Sequence, residues 1–246
     1  MGACVRNLLA AFAVCAMASP AAAVTINIFQ HSAYLDWNEN PGATTIAAPA
    51  IDGFAPAFDG TAFTAAGFSV SFSAALDVDN LGTLTWTIIN TGLVSVTGVR
   101  FFAYLDAEFG DVFFDEYAAF EATGLPAGAP AGAIAFSSFE ADDPDPFFGD
   151  ILANLVSGTL DNSIDANQTW CEENFGCDVA LALGFLVGSL AAGEGITATL
   201  LISEFVQDAP GLSQTDPDSA ESILFNGYVE VRQVEPPVAV PAPPAL

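Results

Sequence analysis

Four acidic side chains, Asp106, Glu108, Asp111 and Asp115, crowd one short stretch that reads as a turn between two strands. Clustered oxygen donors on a loop suit a hard cation, and Ca²⁺ in particular collects six to eight of them. The spacing therefore predicts a structural Ca²⁺ site at this turn, with a solvated acidic rim as the alternative, because Asp+Glu number 30 in 246 residues and chance clusters are expected. A second acidic group joins Asp142, Asp143 and Asp145 to Asp150. Neither group has the spacing of a helix–loop–helix calcium loop. The segment 77–82 (DVDNLG) begins like one, but its fifth position is Leu81 and its twelfth is Ile88. Paired carboxyls also serve glycosidases, which hold two of them roughly 5–10 Å apart, a separation that sequence spacing does not establish.

Other reactive groups are few. His31 is the one histidine, so any Ser-His or Cys-His mechanism passes through it. It follows an alternating stretch in Gln30-His31-Ser32 and is expected at the surface. Gly188-Ser189-Leu190 lacks the second glycine of a nucleophile elbow, and a phosphate loop is ruled out in a chain without lysine. Secreted sandwiches use exposed aromatic rings to stack sugars. Trp37 and Trp170 fall in polar stretches, as loop packing or as glycan contacts, whereas Trp86 lies on the apolar side of an alternating stretch and belongs to the core. The catalytic set is therefore read as none, and the chain as non-enzymatic.

The elements that must position these groups read mostly as strands. Residues 24–29, 67–74 and 83–89 alternate apolar with polar residues, the mark of half-buried antiparallel strands. Residues 98–105, 111–120, 179–187, 195–203 and 222–231 are similarly short and are separated by Gly, Asn, Asp and Pro. Such a series without strand–helix alternation predicts an all-β fold, an antiparallel β-sandwich of immunoglobulin-like or jelly-roll-like type, over a single domain at 24–233. One short helix is expected within 148–160, where Ile151, Leu152, Leu155 and Val156 recur at helical spacing and Asp150 stands at the cap position. Residues 124–132 and 141–146 read as loops, and the proline-rich 234–246 as an extended stalk.

Charge and cysteine usage bear on destination. The net charge is -27, with Lys+Arg 3 against Asp+Glu 30, a balance that repels phosphate backbones and anionic headgroups and excludes nucleic acid as a partner. A hydrophobic fraction of 52% with 21 Phe separates this chain from acidic disordered tails. Residues 1–23 have the parts of a secretion signal: Arg6 as the charge, an apolar run over 8–18, and Ala21-Ala22-Ala23 as an A-x-A site with cleavage expected after Ala23. The run is about half the roughly 20 residues a membrane span requires, so no span is expected in the mature chain. Cys4 and Cys15 leave with that segment, and a disulfide between Cys171 and Cys177 suits an oxidising compartment; a metal or redox site there has no second cysteine pair and no nearby histidine.

Three short motifs carry resemblances. Ile88-Ile89-Asn90-Thr91-Gly92 followed by Val99-Arg100-Phe101-Phe102 resembles the asparagine-threonine-glycine turn of bacterial immunoglobulin-like repeats, with Asn90 and Gly92 expected to supply positive φ. Leu190-Ala191-Ala192-Gly193-Glu194 resembles the Gly-Glu turn that precedes another strand of such domains. Residues 240–246 (VPAPPAL) resemble the opening of the PEP-CTERM or VPLPA-CTERM sorting signal of Gram-negative bacteria; the match stops before that family's apolar helix and arginine cluster. The resemblance implies an exosortase-type sorting protease as partner and display at the cell surface or secretion. The combined expectation is a structural or adhesive envelope protein in contact with extracellular polysaccharide, or else a secreted carbohydrate- or calcium-binding module.

Overall fold

The computed structural model describes residues 26–38, 40–46, 63–65, 67–109, 116–145, 148–165, 178–217 and 219–233. The strands in chain order are β1 (Ile26–Trp37), β2 (Asn40–Ile46), β3 (Phe63–Ala65), β4 (Phe68–Leu76), β5 (Gly82–Asn90), β6 (Val96–Phe109), β7 (Tyr117–Ala122), β8 (Ile134–Ala135) and β9 (Ser138–Asp142), then helix α1 (Ile151–Ser157), then β10 (Ala180–Leu190), β11 (Glu194–Glu204), β12 (Gly211–Thr215) and β13 (Ser222–Gln233). They form a five-stranded sheet ordered β2-β1-β6-β10-β9 and an eight-stranded sheet running β3-β4-β5-β11-β13-β12-β7, with β8 attached to β13. Every strand pair is antiparallel. The fold is the expected all-β sandwich, with one short helix among the described residues. Among the described residues no helix is long and apolar enough to cross a membrane.

Alternation explains the eight-stranded sheet directly. Phe68, Val70 and Phe72 of β4 and Leu84, Trp86 and Ile88 of β5 point into the sandwich, while the intervening Ser and Thr residues face outward. Phe72 stacks obliquely on Trp86 at 4.7 Å, and Trp86 meets Phe101 from the opposite sheet at 6.3 Å. Burying each such ring stabilises the fold by roughly 2–3 kcal/mol.

The five-stranded sheet behaves differently because both of its faces are covered. On β6, Phe101, Ala103, Leu105, Ala107 and Phe109 enter the sandwich core, while Phe102 and Tyr104 on the outer face join Tyr34, Ala180 and Ala182 beneath Ile151, Leu155 and Leu160 of the α1 region. Helix α1 therefore lies across the outside of this sheet. It is shorter than the 148–160 expected from periodicity: it begins at Ile151 and Asp150 makes no side-chain cap bond. It ends at Gly158, whose left-handed φ of 73° lets its N–H reach the carbonyl of Leu155. Ile151 and Leu155 are buried, but Val156 faces solvent.

Three strand expectations need correction. The first strand does not stop at residue 29: β1 continues through His31, Ala33, Leu35 and Trp37, which alternate inward. Ala141 and Asp142 belong to β9 and not to a loop; the backbone of Ala141 bonds both Ser163 and Asp165, so the segment after α1 runs alongside that sheet edge. Strands β2, β3, β8 and β12 lie in stretches that carry no alternation signal strong enough to read. The segments 1–23 with Ala23, and 234–246, lie outside the described residues.

Candidate functional site

Asp106 and Glu108 occupy successive outward positions of β6, on the same face as Phe102 and Tyr104. An outward carboxylate is normally solvated, yet these side chains are 3% and 2% exposed. Register brings a third acid to them. Ala180 of β10 stands opposite Asp106, so Asp178, two residues earlier, falls on the same face beside Glu108. Carboxylate oxygens of Asp106, Glu108 and Asp178 all lie within 4.8 Å of one another. Of the four residues expected from sequence to hold a cation, Asp106 and Glu108 are thus brought together, while Asp111 and Asp115 lie outside the described residues. Asp178 went unrecognised because its partners come from a strand far away in sequence.

Burial and mutual repulsion set the protonation of this group. Burial first, then the charges of Glu116, Asp178 and Asp106, pushes the Glu108 carboxyl up to about 10. Burial, then Asp178, raises Asp106 to about 8, and burial, then Asp143, raises Asp178 to about 6. A hydrogen bond between Glu108 and Asp178 adds to the rise at Glu108 and opposes it at Asp178. The Tyr104 hydroxyl donates a long bond of 3.5 Å to Asp106 Oδ2, and burial with the neighbouring Asp106 raises Tyr104 well above the ordinary phenol range. Asp106 Oδ1, Glu108 Oε2 and Asp178 Oδ1 are buried without a hydrogen-bond partner. That is a costly arrangement for groups of this polarity.

Beside the triad, Glu116 is tied into the framework. Its Oε1 accepts from the Phe109 N–H at 3.1 Å and its Oε2 accepts from Gln214 Nε2 at 2.5 Å. Gln214 Nε2 also donates to the Ala107 carbonyl at 2.5 Å, linking β12 of one sheet to β6 of the other. Burial is the largest influence on Glu116 and raises it to about 8.

Among the described residues no positive charge stands beside the group. The sequence has no lysine and three Lys+Arg in all. Arg100 pairs with Asp36 and Arg232 with Glu230, and Arg6 lies outside the described residues.

The second acidic group resolves differently. Asp142 Oδ1 and Oδ2 accept from the backbone N–H of Asp143 (2.8 Å) and Asp150 (2.6 Å), and Asp143 Oδ1 accepts from Asp145 N–H at 2.8 Å. These acids shape the loop leading into α1. A separate trio, Glu140, Asp150 and Asp161, does come within 4.8 Å. There Glu140 Oε1 already accepts from Asn154 Nδ2 at 3.0 Å and Oε2 from Asp161 N–H at 3.4 Å, and the other two acids are exposed. In the 77–82 segment, Asp77 Oδ1 accepts from the N–H groups of Asp79 and Leu81, closing the β4–β5 hairpin.

Two aromatic or basic candidates change role. His31 is not at the surface: it is 4% exposed, stacked on Phe72 at 5.0 Å and edge-on to Trp86 at 5.8 Å, and burial lowers it to about 4. Trp37 is 7% exposed and packs edge-on against Phe68 at 5.0 Å, so its ring offers no stacking face to a glycan. Trp170, Cys171 and Cys177 lie outside the described residues. No family model, curated protein or solved structure matches this chain.

Proposed function

We propose that the chain is a non-enzymatic, exported β-sandwich protein with a structural or adhesive role at the surface or in the extracellular matrix of a Gram-negative bacterium. The observation that carries this reading is the position of His31. Acyl-transfer mechanisms built on Ser-His or Cys-His need an imidazole that can take a proton from a nucleophile at an open site. The one imidazole of this chain is packed between Phe72 and Trp86 in the sandwich interior. The secretion-type segment 1–23, the VPAPPAL motif and the acidic, lysine-free composition point to export and to an exosortase-type sorting protease and extracellular polysaccharide as partners.

Expression of the full coding sequence in a Gram-negative host tests the reading. Mass spectrometry of the exported protein is expected to give Val24 as the first residue, and protease added to intact cells is expected to reach it. Protein retained in the cytoplasm with residues 1–23 intact would overturn the export reading. A hydrolytic activity lost on a single carboxylate substitution would overturn the non-enzymatic one.

A further inference from the structure

We infer that Asp106, Glu108 and Asp178 form a binding site for one calcium ion, held between β6 and the start of β10 on the outer face of the five-stranded sheet. The inference is independent of where the protein is displayed.

Three observations converge on it. The carboxylate oxygens gather within 4.8 Å of one another on β6 and just ahead of β10, strands paired without a break from Ala180 to Leu186. One oxygen of each acid is buried and unpartnered, and Asp106 and Glu108 are more than nine-tenths buried. Neither arginine among the described residues is positioned to neutralise them, because Arg100 and Arg232 are committed to Asp36 and Glu230. A group of this kind carries either protons or a metal ion, and the orphaned oxygens are the ones that protons leave unsatisfied.

Donor chemistry and coordination preference select the ion. All three donors are carboxylate oxygens, which suit a hard cation and not the nitrogen and sulfur shells preferred by zinc. Oxygens that lie within 4.8 Å of one another are close enough to share one ion of either size; calcium is favoured because it accepts an irregular shell, whereas Mg²⁺ demands near-ideal octahedral geometry and dehydrates reluctantly. Three carboxylates supply three to six of the six to eight oxygens calcium takes, and water completes the shell. The Glu140–Asp150–Asp161 trio is a control within the same molecule: it has similar spacing, but both oxygens of its buried member already have donors.

The test is calorimetric titration of CaCl₂ into the full chain after EDTA treatment and its removal, with thermal melts in parallel. One calcium per chain is expected, with a rise in Tm of roughly 5–10 °C at a hundredfold excess over Kd. Asp106→Asn, Glu108→Gln and Asp178→Asn are each expected to weaken binding at least tenfold, while Glu140→Gln and Asp161→Asn leave it unchanged. Glu108→Gln keeps the shape of the side chain and removes an acidic group from a crowded acidic cluster, so in EDTA it is expected to keep the β-sheet circular dichroism spectrum and to melt no lower than the parent. Mg²⁺ is expected to bind at least tenfold more weakly than Ca²⁺. The inference is overturned if millimolar calcium gives neither heat nor a Tm shift in the parent. It is equally overturned if binding survives all three amide substitutions, if it is lost with Glu140→Gln instead, or if Mg²⁺ binds more tightly.

Discussion

Gly193 donates its backbone N–H to the carbonyl of Asn90 at 2.9 Å, and the Asn90 side chain returns two bonds, from Nδ2 to the carbonyls of Leu190 (3.1 Å) and Ala191 (3.2 Å). The same Nδ2 reaches Val94 O at 2.9 Å, and Asn90 Oδ1 accepts from the Gly92 N–H at 3.0 Å. The turn after β5 and the turn between β10 and β11 are therefore one hydrogen-bonded unit at the end of the sandwich. Asn90 is buried, so losing its amide would strip these carbonyls of a donor in a dry setting, although Ala191 O also accepts from the Glu194 N–H at 3.0 Å.

Asn90→Ala is accordingly expected to lower the unfolding free energy by about 2–4 kcal/mol in urea melts. Asn90→Asp, although isosteric, is expected to be at least as damaging, since it turns an acceptor toward three carbonyl oxygens. An Asp variant as stable as the parent would show that these bonds do not hold the two turns together.

The two turns were legible as turns, but the reason for them was not. The sequence motif suggests that Asn90 and Gly92 adopt positive φ; neither does, and in the second turn it is Gly193, at φ 78°, that takes the left-handed conformation. A motif shows where a chain reverses, while the acceptors that Asn90 satisfies sit on a strand paired only in three dimensions. Strands β4 and β5 could be read because one of their faces is wet, which produces alternation. On β6 that signal disappears, because α1 covers the outer face and nearly every residue from Val99 to Phe109 is buried. His31 was misplaced for a smaller reason: the polar neighbours Gln30 and Ser32 obscured a period-two run through Ala33, Leu35 and Trp37 that would have carried it inward. For the site, Asp106 and Glu108 stand two apart and share a face by strand geometry alone, whereas Asp178 joins them only through the β6–β10 register.

The buried His31 gives a specific acid dependence. Its folded-state value near 4 lies below the ordinary imidazole value of about 6.5, so the unfolded chain takes up the proton first as pH falls. Its contribution is intact above about pH 6.5 and is lost between there and about pH 4, a change of roughly 3 kcal/mol. The raised carboxyls act in the opposite sense. Glu116, held near 8, contributes fully below its ordinary range, and that contribution is lost as pH rises through 8. Comparing the parent with His31→Phe isolates the histidine. The stability difference between the two is expected to shift by about 3 kcal/mol against the parent from pH 6.5 to 4 and to be flat above pH 7, and a flat difference throughout would place the imidazole in water.

Helix α1 presents two faces that should respond differently. Leu155 is fully buried against the Tyr34–Phe102–Tyr104 surface, and Leu155→Ala is expected to cost about 2–4 kcal/mol. Val156 is 54% exposed, and Val156→Ser is expected to change stability by less than about 0.5 kcal/mol. Thermal melts of the two variants check the register; equal effects would mean that the helix does not lie on the sheet as described.

The last prediction concerns the far end of that outer face, where Gly158 closes α1 over the Asp36–Arg100 ion pair. Asp36 is buried, and Arg100, which also lies 5.9 Å from the Phe102 ring centroid, is its ion-pair partner. Removing the guanidinium leaves a desolvated carboxylate uncompensated, which costs about 3–5 kcal/mol in fully buried pairs. Because the Arg100 side chain is 39% exposed and water screens it, about 2–3 kcal/mol is expected for Arg100→Ala. A Cβ at Gly158 would stand 3.1 Å from Asp36 Oδ2 and 3.4 Å from Arg100 Nη2, on a backbone whose φ of +73° already disfavours any other residue. Gly158→Ala is therefore expected to cost about 1–2 kcal/mol: part is backbone strain, independent of the pair, and part is displacement of the pair itself. The two parts separate in a double-mutant cycle. In an Arg100→Ala background Asp36 is free to move away, so Gly158→Ala should cost only the strain, and the two substitutions together should fall short of their sum by at least about 0.5 kcal/mol. Strict additivity would mean that the helix end and the ion pair do not press on each other.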